Sequence, residues 1–403
     1  MLDTPKPVAA NDRFYTLDLL RGFALLGILG PNMLTFAWPS AAMTSHLPMG
    51  DTPANELGHA AVDVFFLGKM MFNFAMLFGA GIVLFDRKFT PDDGAPRPGG
   101  TGLWYARCAW LLGLGMLHAA GLWYGDILVL YAVTGMLLVW WLRRLSAGAL
   151  FAIGGTLYVL GAGLFFGFTL LGVWAVNAGQ AEPSEIVGNV EQELEAYRGG
   201  YLDAFGSRIV MLLFWWLVMI PVFVPAITGI MTLGMALMKS GFLTGERGTR
   251  LYAIVALVGL TVGLGGTLAT MNAFDAWFGE LSGFAFQGIA QFVGVPTALG
   301  YAALVILVAK KRWLAPVTGA LANVGRMALS NYFAQTLICT TLFYGYGLGY
   351  FGRIGYPGLF YVMGGVWAFN IVFSAVWLRF FRFGPAEWVW RSLTYLKPQP
   401  LLR

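Results

Sequence analysis

Residues 17–32 read LDLLRGFALLGILGPN, an apolar stretch into which an acid, an arginine and an asparagine are set at fixed offsets. Asp18 and Arg21 lie three residues apart, on one face of a helix and within pairing distance. Arg21 and Asn32 are eleven residues apart, which is three helical turns and about 16 Å along the axis. Because polar groups are costly in lipid, this stripe is expected to face a protein cavity or partner helices. The structural alternative is a snorkelling pair at the interface with a buried, satisfied amide.

The composition indicates a membrane protein. Of 403 residues, 58% are hydrophobic and only 11% are charged, whereas a soluble domain has about 25% charged residues. Apolar windows of membrane-spanning length recur along the chain, which predicts an all-α polytopic membrane protein. The net charge of +5 then indicates topology rather than nucleic-acid binding. Cys108 and Cys339 fall in apolar segments without metal-ligand spacing, so neither a disulfide framework nor a metal site is predicted.

About ten transmembrane helices are predicted. They cover residues 17–38, 61–85, 104–123, 126–142, 147–176, 209–238, 251–273, 286–309, 321–345 and 357–381. Lysine and arginine concentrate in alternate connections, which places both termini in the cytoplasm. A cleaved signal peptide competes for the first span, but its polar stripe favours a retained helix. Residues 1–383 are predicted to form one transmembrane domain and residues 384–403 an amphipathic cytoplasmic segment.

The connection at residues 177–208 is acidic. Glu191, Glu195 and Arg198 are spaced as neighbours on a helix, which predicts a short extracytoplasmic helix there. A solvated cap is the simplest role for it.

One pair of polar residues within the spans, a histidine and an aspartate, is of the kind that forms a general base. His118 lies near the end of the third span, and the tight turn at Tyr124–Gly125 allows Asp126 to fold back beside it. A carboxylate bonded to one ring nitrogen fixes the tautomer and raises the basicity of the other. A lone histidine satisfied at a helix end is the alternative. Lys69, deep in the second span, is either part of the same site or a snorkelling lysine.

The ninth span is unusually polar. Asn331 and Gln335 share one helical face, and Tyr332 is adjacent to Asn331. Interhelical hydrogen bonding explains such amides as well as ligand binding does. Arg107 and Arg326 lie at ends of spans that the loop charges assign to the cytoplasm.

These motifs resemble those of the YeiB-like inner-membrane proteins, a domain family of unassigned function. The resemblance covers nearly the whole chain. It rests on Leu17-Asp18 through Arg21-Gly22 with Asn32, Leu77-Phe78-Gly79-Ala80-Gly81, His118 with Gly125-Asp126-Ile127-Leu128, Gly325-Arg326-Met327-Ala328-Leu329 with Asn331-Tyr332, and Gly384-Pro385 with Glu387-Trp388.

The first span is also similar to that of heparan-α-glucosaminide N-acetyltransferases and, more loosely, of other multi-span membrane acyltransferases. This resemblance implies transfer of an acyl group from a cytoplasmic thioester to an acceptor across the bilayer. In those enzymes an asparagine matching Asn32 and a histidine in the following loop belong to the active site. His46 lies in that loop at a different distance from Asn32, so His118 is the preferred base and His46 the alternative.

Two hypotheses follow. In the first, the protein is a membrane acyltransferase that uses acyl-CoA, without a metal, and modifies a hydroxyl or amine on the extracytoplasmic side. In its predicted site His118 is the base, paired with Asp126, and Asn32 or Lys69 stabilises the oxyanion. The donor phosphates are bound by Arg21, Arg107 and Arg326. The residues predicted to contact the substrate are Asp18, Asn331, Tyr332 and Gln335. In the second, the same polar path carries a small metabolite with protons, and His118 and Asp126 relay the proton.

The expected setting is the bacterial inner membrane. Membrane lipids and a small-molecule, glycan or lipid acceptor are the expected partners, and nucleic acid is not. The oligomeric state stays open, with a homodimer as one candidate.

Overall fold

A computed structural model describes residues 14–45, 47–90 and 98–403. Within these residues the chain is helical, and the single β-bridge joins Phe381 to Leu402. The helices are α1 (Tyr15–Ala37), α2 (Pro53–Phe65), α3 (Lys69–Arg87), α4 (Gly100–Gly121), α5 (Leu128–Leu142), α6 (Ala147–Asn177), α7 (Val190–Arg198), α8 (Tyr201–Lys239), α9 (Thr249–Phe278), α10 (Ser282–Lys310), α11 (Ala315–Arg326), α12 (Ala328–Phe343), α13 (Tyr356–Phe380) and α14 (Pro385–Thr394). A single helical turn, Pro183–Val187, precedes α7.

The all-α membrane class is confirmed. Seven helical segments of the described chain are long and apolar enough to cross a bilayer: α1, α2 with α3, α6, α8, α9, α10 and α13. The apolar α5 is shorter, with a π-helical turn at Gly135–Val139. The count of about ten and the cytoplasmic placement of the termini stay predictions.

Helix α1 lies at the centre of the bundle, where it contacts α3, α11 and α12. Its axis approaches that of α11 so closely that a Cβ on Gly22 would lie 1.9 Å from the carbonyl oxygen of Leu321. A Cβ on Gly325 would lie 1.8 Å from the carbonyl oxygen of Asp18. Small residues permit this backbone-to-backbone contact, as is common between membrane helices. The central position of α1 fits a retained helix.

Two of the predicted spans are broken. The second span consists of α2 and α3, which are separated at Phe66–Gly68, where Gly68 has a φ of +76°. The ninth consists of α11 and α12, which meet at Met327. The predicted span at residues 209–238 begins earlier, because α8 starts at Tyr201. Arg208, which the sequence placed in the preceding loop, is therefore inside a helix and fully buried.

A short helix is present at each of the two predicted positions, and the side of the membrane on which each lies stays a prediction. Helix α7 begins after Asn189, whose side chain accepts a hydrogen bond from the backbone N–H of Gln192. Helix α14 is strongly amphipathic, as its alternating aromatic and charged residues predict. The carboxylate of Glu387 accepts hydrogen bonds from Ser330 and from the backbone N–H of Leu329, so α14 packs against the start of α12.

Candidate functional site

The connection between α4 and α5 holds the predicted histidine and aspartate together. The carbonyl of His118 accepts from the N–H groups of Leu122 and Trp123, so α4 closes in a tight turn. Asp126 Oδ1 then accepts from the N–H of Val129 at 2.9 Å, at the start of α5. Its other oxygen lies 2.7 Å from His118 Nδ1, and both side chains are 1% exposed. The fold-back of Asp126 onto His118 is thus present.

A third side chain, Thr336 on α12, completes this contact. Its Oγ1 lies 2.9 Å from His118 Nε2. With an ionised Asp126, Nδ1 carries the proton and Nε2 accepts from the threonine hydroxyl. When the ring takes a second proton, Nε2–H donates to Oγ1, and the hydroxyl can donate to the carbonyl of Tyr332 at 3.3 Å. The three groups can therefore store one proton without leaving a donor unpaired.

Aromatic rings enclose the imidazole. Their centroids lie 4.9 Å (Tyr332), 5.3 Å (Phe333) and 6.3 Å (Trp123) from that of His118. We call Asp126, His118 and Thr336 the relay. Thr336 was not among the predicted residues, and its position four residues after Tyr332 was the available signal.

The adjacent face of α12 carries a closed network of amides. Asn331 donates to Ser374 Oγ at 2.8 Å and accepts from Asn370 at 3.1 Å. Gln335 donates to the Asn370 side-chain oxygen at 3.0 Å and to the carbonyl of Leu25 at 3.3 Å. We call these residues the amide ladder. It joins α12, α13 and α1 in the way expected of interhelical hydrogen bonds. Substrate contacts by Asn331, Tyr332 and Gln335 stay a prediction.

Two of the predicted arginines lie where α1 crosses α11. Arg21 bonds Asp18 at 2.8 Å, the predicted pairing, and the Arg21 side chain stays 31% exposed. Arg326 follows Gly325, which is in backbone contact with α1 near Gly22. Its Nη1 donates to the side-chain oxygen of Asn323 at 3.5 Å.

Helix α14 brings further basic residues to this end of the bundle. The Arg107 guanidinium stacks 3.8 Å from the Trp390 ring, and Trp390 Nε1 donates to the Arg107 carbonyl at 2.8 Å. Arg107 lies within electrostatic reach of Arg391 and Arg21. Burial, and after it the charges of Arg391 and Arg107, lower the pKa of Lys88 to about 8. Arg21 and Arg107 thus belong to a larger cluster with Lys88 and Arg391. Together with Arg326, which lies on α11 next to the contact with α1, we call these residues the basic group.

Lys69 belongs to a separate polar cluster at the break between α2 and α3. Its fully buried ammonium donates to the carbonyl of Asp63, whose carboxylate lies 3.3 Å from His59 Nδ1. The sequence prediction missed His59 and Asp63. Their i,i+4 spacing at the start of the second span was the available signal.

The remaining predicted site residues are less informative. Asn32 is partly buried on α1, and its carbonyl accepts from Thr35 Oγ1. His46 lies outside the described residues. Among those described, no three histidine, cysteine or carboxylate side chains are grouped to hold a metal ion.

Two cavities in the described part of the chain lie away from the relay. One of about 220 Å³ opens between the ends of α3, α4 and α5 and is bordered by Asp86, Trp140, Arg143 and Arg144. Arg143 Nε donates to Asp86 there at 2.7 Å. His118, at 2% exposure, is closed to solvent in this conformation.

Comparison with known proteins identifies relatives of this chain. Residues 237–397 match the family model described as a protein of unknown function (DUF418). The uncharacterised protein YeiB of Escherichia coli is 34% identical over 97% of this chain and 98% of its own length. The uncharacterised protein YxaH of Bacillus subtilis is 29% identical over 99% of this chain and 98% of its own. No solved structure matches.

Proposed function

Because the chain belongs to the YeiB-like family, whose relatives above are described only as uncharacterised, we propose its function from the site itself. The protein transfers an acyl group from acyl-CoA, bound at the basic group, to a hydroxyl or amine acceptor near the relay. We place it in the bacterial inner membrane, with the basic group facing the cytoplasm. The acceptor is a small molecule, a glycan or a lipid.

The contact of His118 with both Asp126 and Thr336 is the observation that carries the proposal. General-base catalysis needs an imidazole of fixed tautomer with one free lone pair, and Asp126 supplies that constraint through Nδ1. Thr336 Oγ1 lies where an acceptor O–H would lie, 2.9 Å from Nε2. An acceptor that displaces the threonine hydroxyl gives its proton to His118 as it attacks the thioester carbonyl. The imidazolium then protonates the departing thiolate.

The basic group supports the donor half of the proposal. Arginine stays charged when partly buried and binds phosphate through two parallel N–H groups, as a nucleotide donor requires. Arg107 and His118 lie eleven residues apart on α4, about 16 Å along the axis. An extended phosphopantetheine arm is of comparable length. The thioester of a donor held at Arg107 would therefore lie at the level of His118.

A second function, proton-coupled transport, is favoured by the break between α2 and α3. Discontinuous membrane helices with buried charges at the break form binding sites in many secondary transporters. Lys69, Asp63 and His59 form such a cluster here. In that function the relay passes protons and forms no acylated product.

The decisive experiment uses the purified protein in detergent with radiolabelled acyl-CoA and an extract of the cell envelope as acceptor pool. We expect labelled product that requires the wild-type protein and is absent with heat-denatured protein. Acyl-CoA that neither binds nor transfers would remove the enzyme proposal.

A further inference from the structure

A buried arginine near the relay has donors that the protein itself does not use. Arg208 on α8 has an exposure of 0%, and its Nη1 donates to the carbonyl of Ala120 at 2.8 Å. Its Nε and Nη2 have no hydrogen-bond partner. A guanidinium keeps its charge inside a protein, and a buried charge with unmade hydrogen bonds is strongly unfavourable. The Tyr201 ring centroid lies 5.6 Å from the Arg208 Cζ, and the two nitrogens can in addition bind an acceptor from outside the chain.

Three buried tyrosines surround this position with further unused hydroxyls. Tyr124, Tyr197 and Tyr344 are at most 6% exposed. The hydroxyls of Tyr124 and Tyr344 have no hydrogen-bond partner, and that of Tyr197 lies beside the side chains of Arg208 and Ser207. The rings of Tyr197 and Tyr344 lie 4.8 Å apart, and both are within electrostatic reach of Arg208. Burial raises the pKa of Tyr197 more than the Arg208 charge lowers it, so the phenol remains a neutral donor.

The carboxylate that borders these tyrosines is already occupied. Glu193 lies within electrostatic reach of Tyr124 and Tyr197. One of its oxygens accepts from the Ser40 N–H at 2.9 Å and the other from Ser40 Oγ at 2.6 Å. Arg208 and the three tyrosines, which we call the arginine–tyrosine cluster, are thus an unfilled set of donors rather than half of an internal ion pair.

The cluster adjoins the relay. Ala120, whose carbonyl binds Arg208, lies two residues after His118, about 3 Å further along α4. Trp123, whose ring faces His118, immediately precedes Tyr124. Because residues two apart lie on different faces of a helix, a ligand held at Arg208 would reach His118 around the end of α4, past Trp123 and Tyr124.

We propose that the arginine–tyrosine cluster binds the oxyanion, a carboxylate or a phosphate, of a small acceptor whose hydroxyl or amine is presented to His118. The free Nε and Nη2 of Arg208 form the planar pair that binds two oxygens of one oxyanion. The tyrosine hydroxyls donate to the remaining lone pairs. This inference rests on the proposed acyl transfer for the role of the ligand, but the binding site itself does not.

The test measures binding of three related probes to the purified protein by calorimetry: glucuronate, glucose 6-phosphate and neutral glucose. We expect one of the two anions to bind and glucose not to bind, and the anion that binds identifies the acceptor as a carboxylate or a phosphate. Arg208→Gln should weaken binding about 10–100-fold, since each lost charge-assisted bond has an effect of that order. Arg353→Gln, an exposed arginine, is the matched control and should bind as wild type.

Tyr197→Phe and Tyr344→Phe keep the test valid if Arg208→Gln fails to fold, because each removes one hydroxyl and leaves the ring packing. Each should weaken binding several-fold in protein that elutes as a single species. Binding unchanged in these variants, or neither anion binding to wild type, would overturn the inference. Acyl transfer to neutral acceptors only would overturn it while leaving the proposed function intact. Arg208-dependent anion binding without any transfer would retain the site and remove the enzyme.

Discussion

Two adjacent faces of α12 bury polar side chains for different purposes. One face carries Asn331 and Gln335, whose side chains are tied to Asn370, Ser374 and backbone carbonyls in the amide ladder. The other face carries Thr336, which contacts His118, and His118 in turn contacts Asp126. The imidazole and the carboxylate can exchange a proton. Both faces have similar burial. The difference is that the amide ladder contains no group that ionises, whereas the relay contains an imidazole and a carboxylate.

The same contrast separates the relay from the arginine–tyrosine cluster beside it. The relay pairs its polar atoms within the chain, but Arg208 Nε and Nη2 are left without a partner. Buried groups in native proteins are nearly always satisfied, which is why we propose the anion site at the arginine–tyrosine cluster and not at the relay.

The sharpest test of this contrast is His118→Gln. As a general base His118 should account for about 10²–10⁴ in the rate of acyl transfer, while acyl-CoA binding stays unchanged. Steady-state label transfer and equilibrium donor binding measure the two effects. His59→Gln is the matched control, because His59 is also buried against a carboxylate, that of Asp63. Equal losses in both variants would remove the special role of the relay.

The second largest effect is expected on acyl-CoA binding when an arginine of the basic group is replaced. Arg21→Gln, Arg107→Gln or Arg326→Gln should each weaken acyl-CoA binding about 10–100-fold, since each removes a charge-assisted bond to phosphate. Arg107→Lys retains the charge and should lose less. Arg250→Gln, an exposed arginine, serves as control. Affinities like that of wild type in all three variants would exclude donor binding at this end.

Substitutions in the amide ladder should lower the stability of the protein and leave the rate of acyl transfer per folded molecule unchanged. Asn370→Leu removes the residue that bridges Asn331 and Gln335 and should lower the free energy of unfolding by about 0.6–1.7 kcal/mol. Denaturation in mixed micelles measures it, with lipid-facing Phe369→Leu as control. A tenfold loss of transfer per folded molecule would show instead that the amide ladder contacts substrate.

The smallest effect is expected at the contact between α14 and α12. Burial raises the pKa of Glu387 above its ordinary value of 4.5, more than its hydrogen bonds from Ser330 and Leu329 lower it. A group with a raised pKa in the folded state stabilises the fold at low pH, and this stabilisation is lost as the pH rises through that pKa. Glu387→Gln should therefore flatten the decline of the melting temperature above pH 4.5, whereas Glu191→Gln, at an exposed position of α7, should not.

The parts of the molecule that depend on local spacing were predictable from the sequence. The short helices α7 and α14, the Asp18–Arg21 pair and the return of Asp126 to His118 all follow from offsets of three, four or eight residues. The breaks at Phe66–Gly68 and Met327 were not predicted, although Gly68 with Lys69 and Gly325 with Arg326 interrupt the apolar sequence there.

Long-range contacts explain the other omissions. Thr336 meets His118 across 218 residues of chain, and a single threonine in an apolar helix usually bonds its own backbone. From the sequence, Arg208 looked like a charged residue of the preceding loop. Its burial depends on α7, the end of α4 and the end of α12, and the residues that flank Arg208 in the sequence do not indicate those contacts. Lys88 and Arg391 join the basic group only because α14 packs against α4.

The central claim, acyl transfer through the relay, is tested most directly in sealed proteoliposomes. Radiolabelled acyl-CoA is supplied on the side of the basic group, and a pool of soluble acceptors on the other. We predict labelled product on the acceptor side with wild-type protein and at least a hundredfold less with His118→Gln. Solute flux driven by a pH gradient, with no acylated product on either side, would contradict the account and favour the transporter.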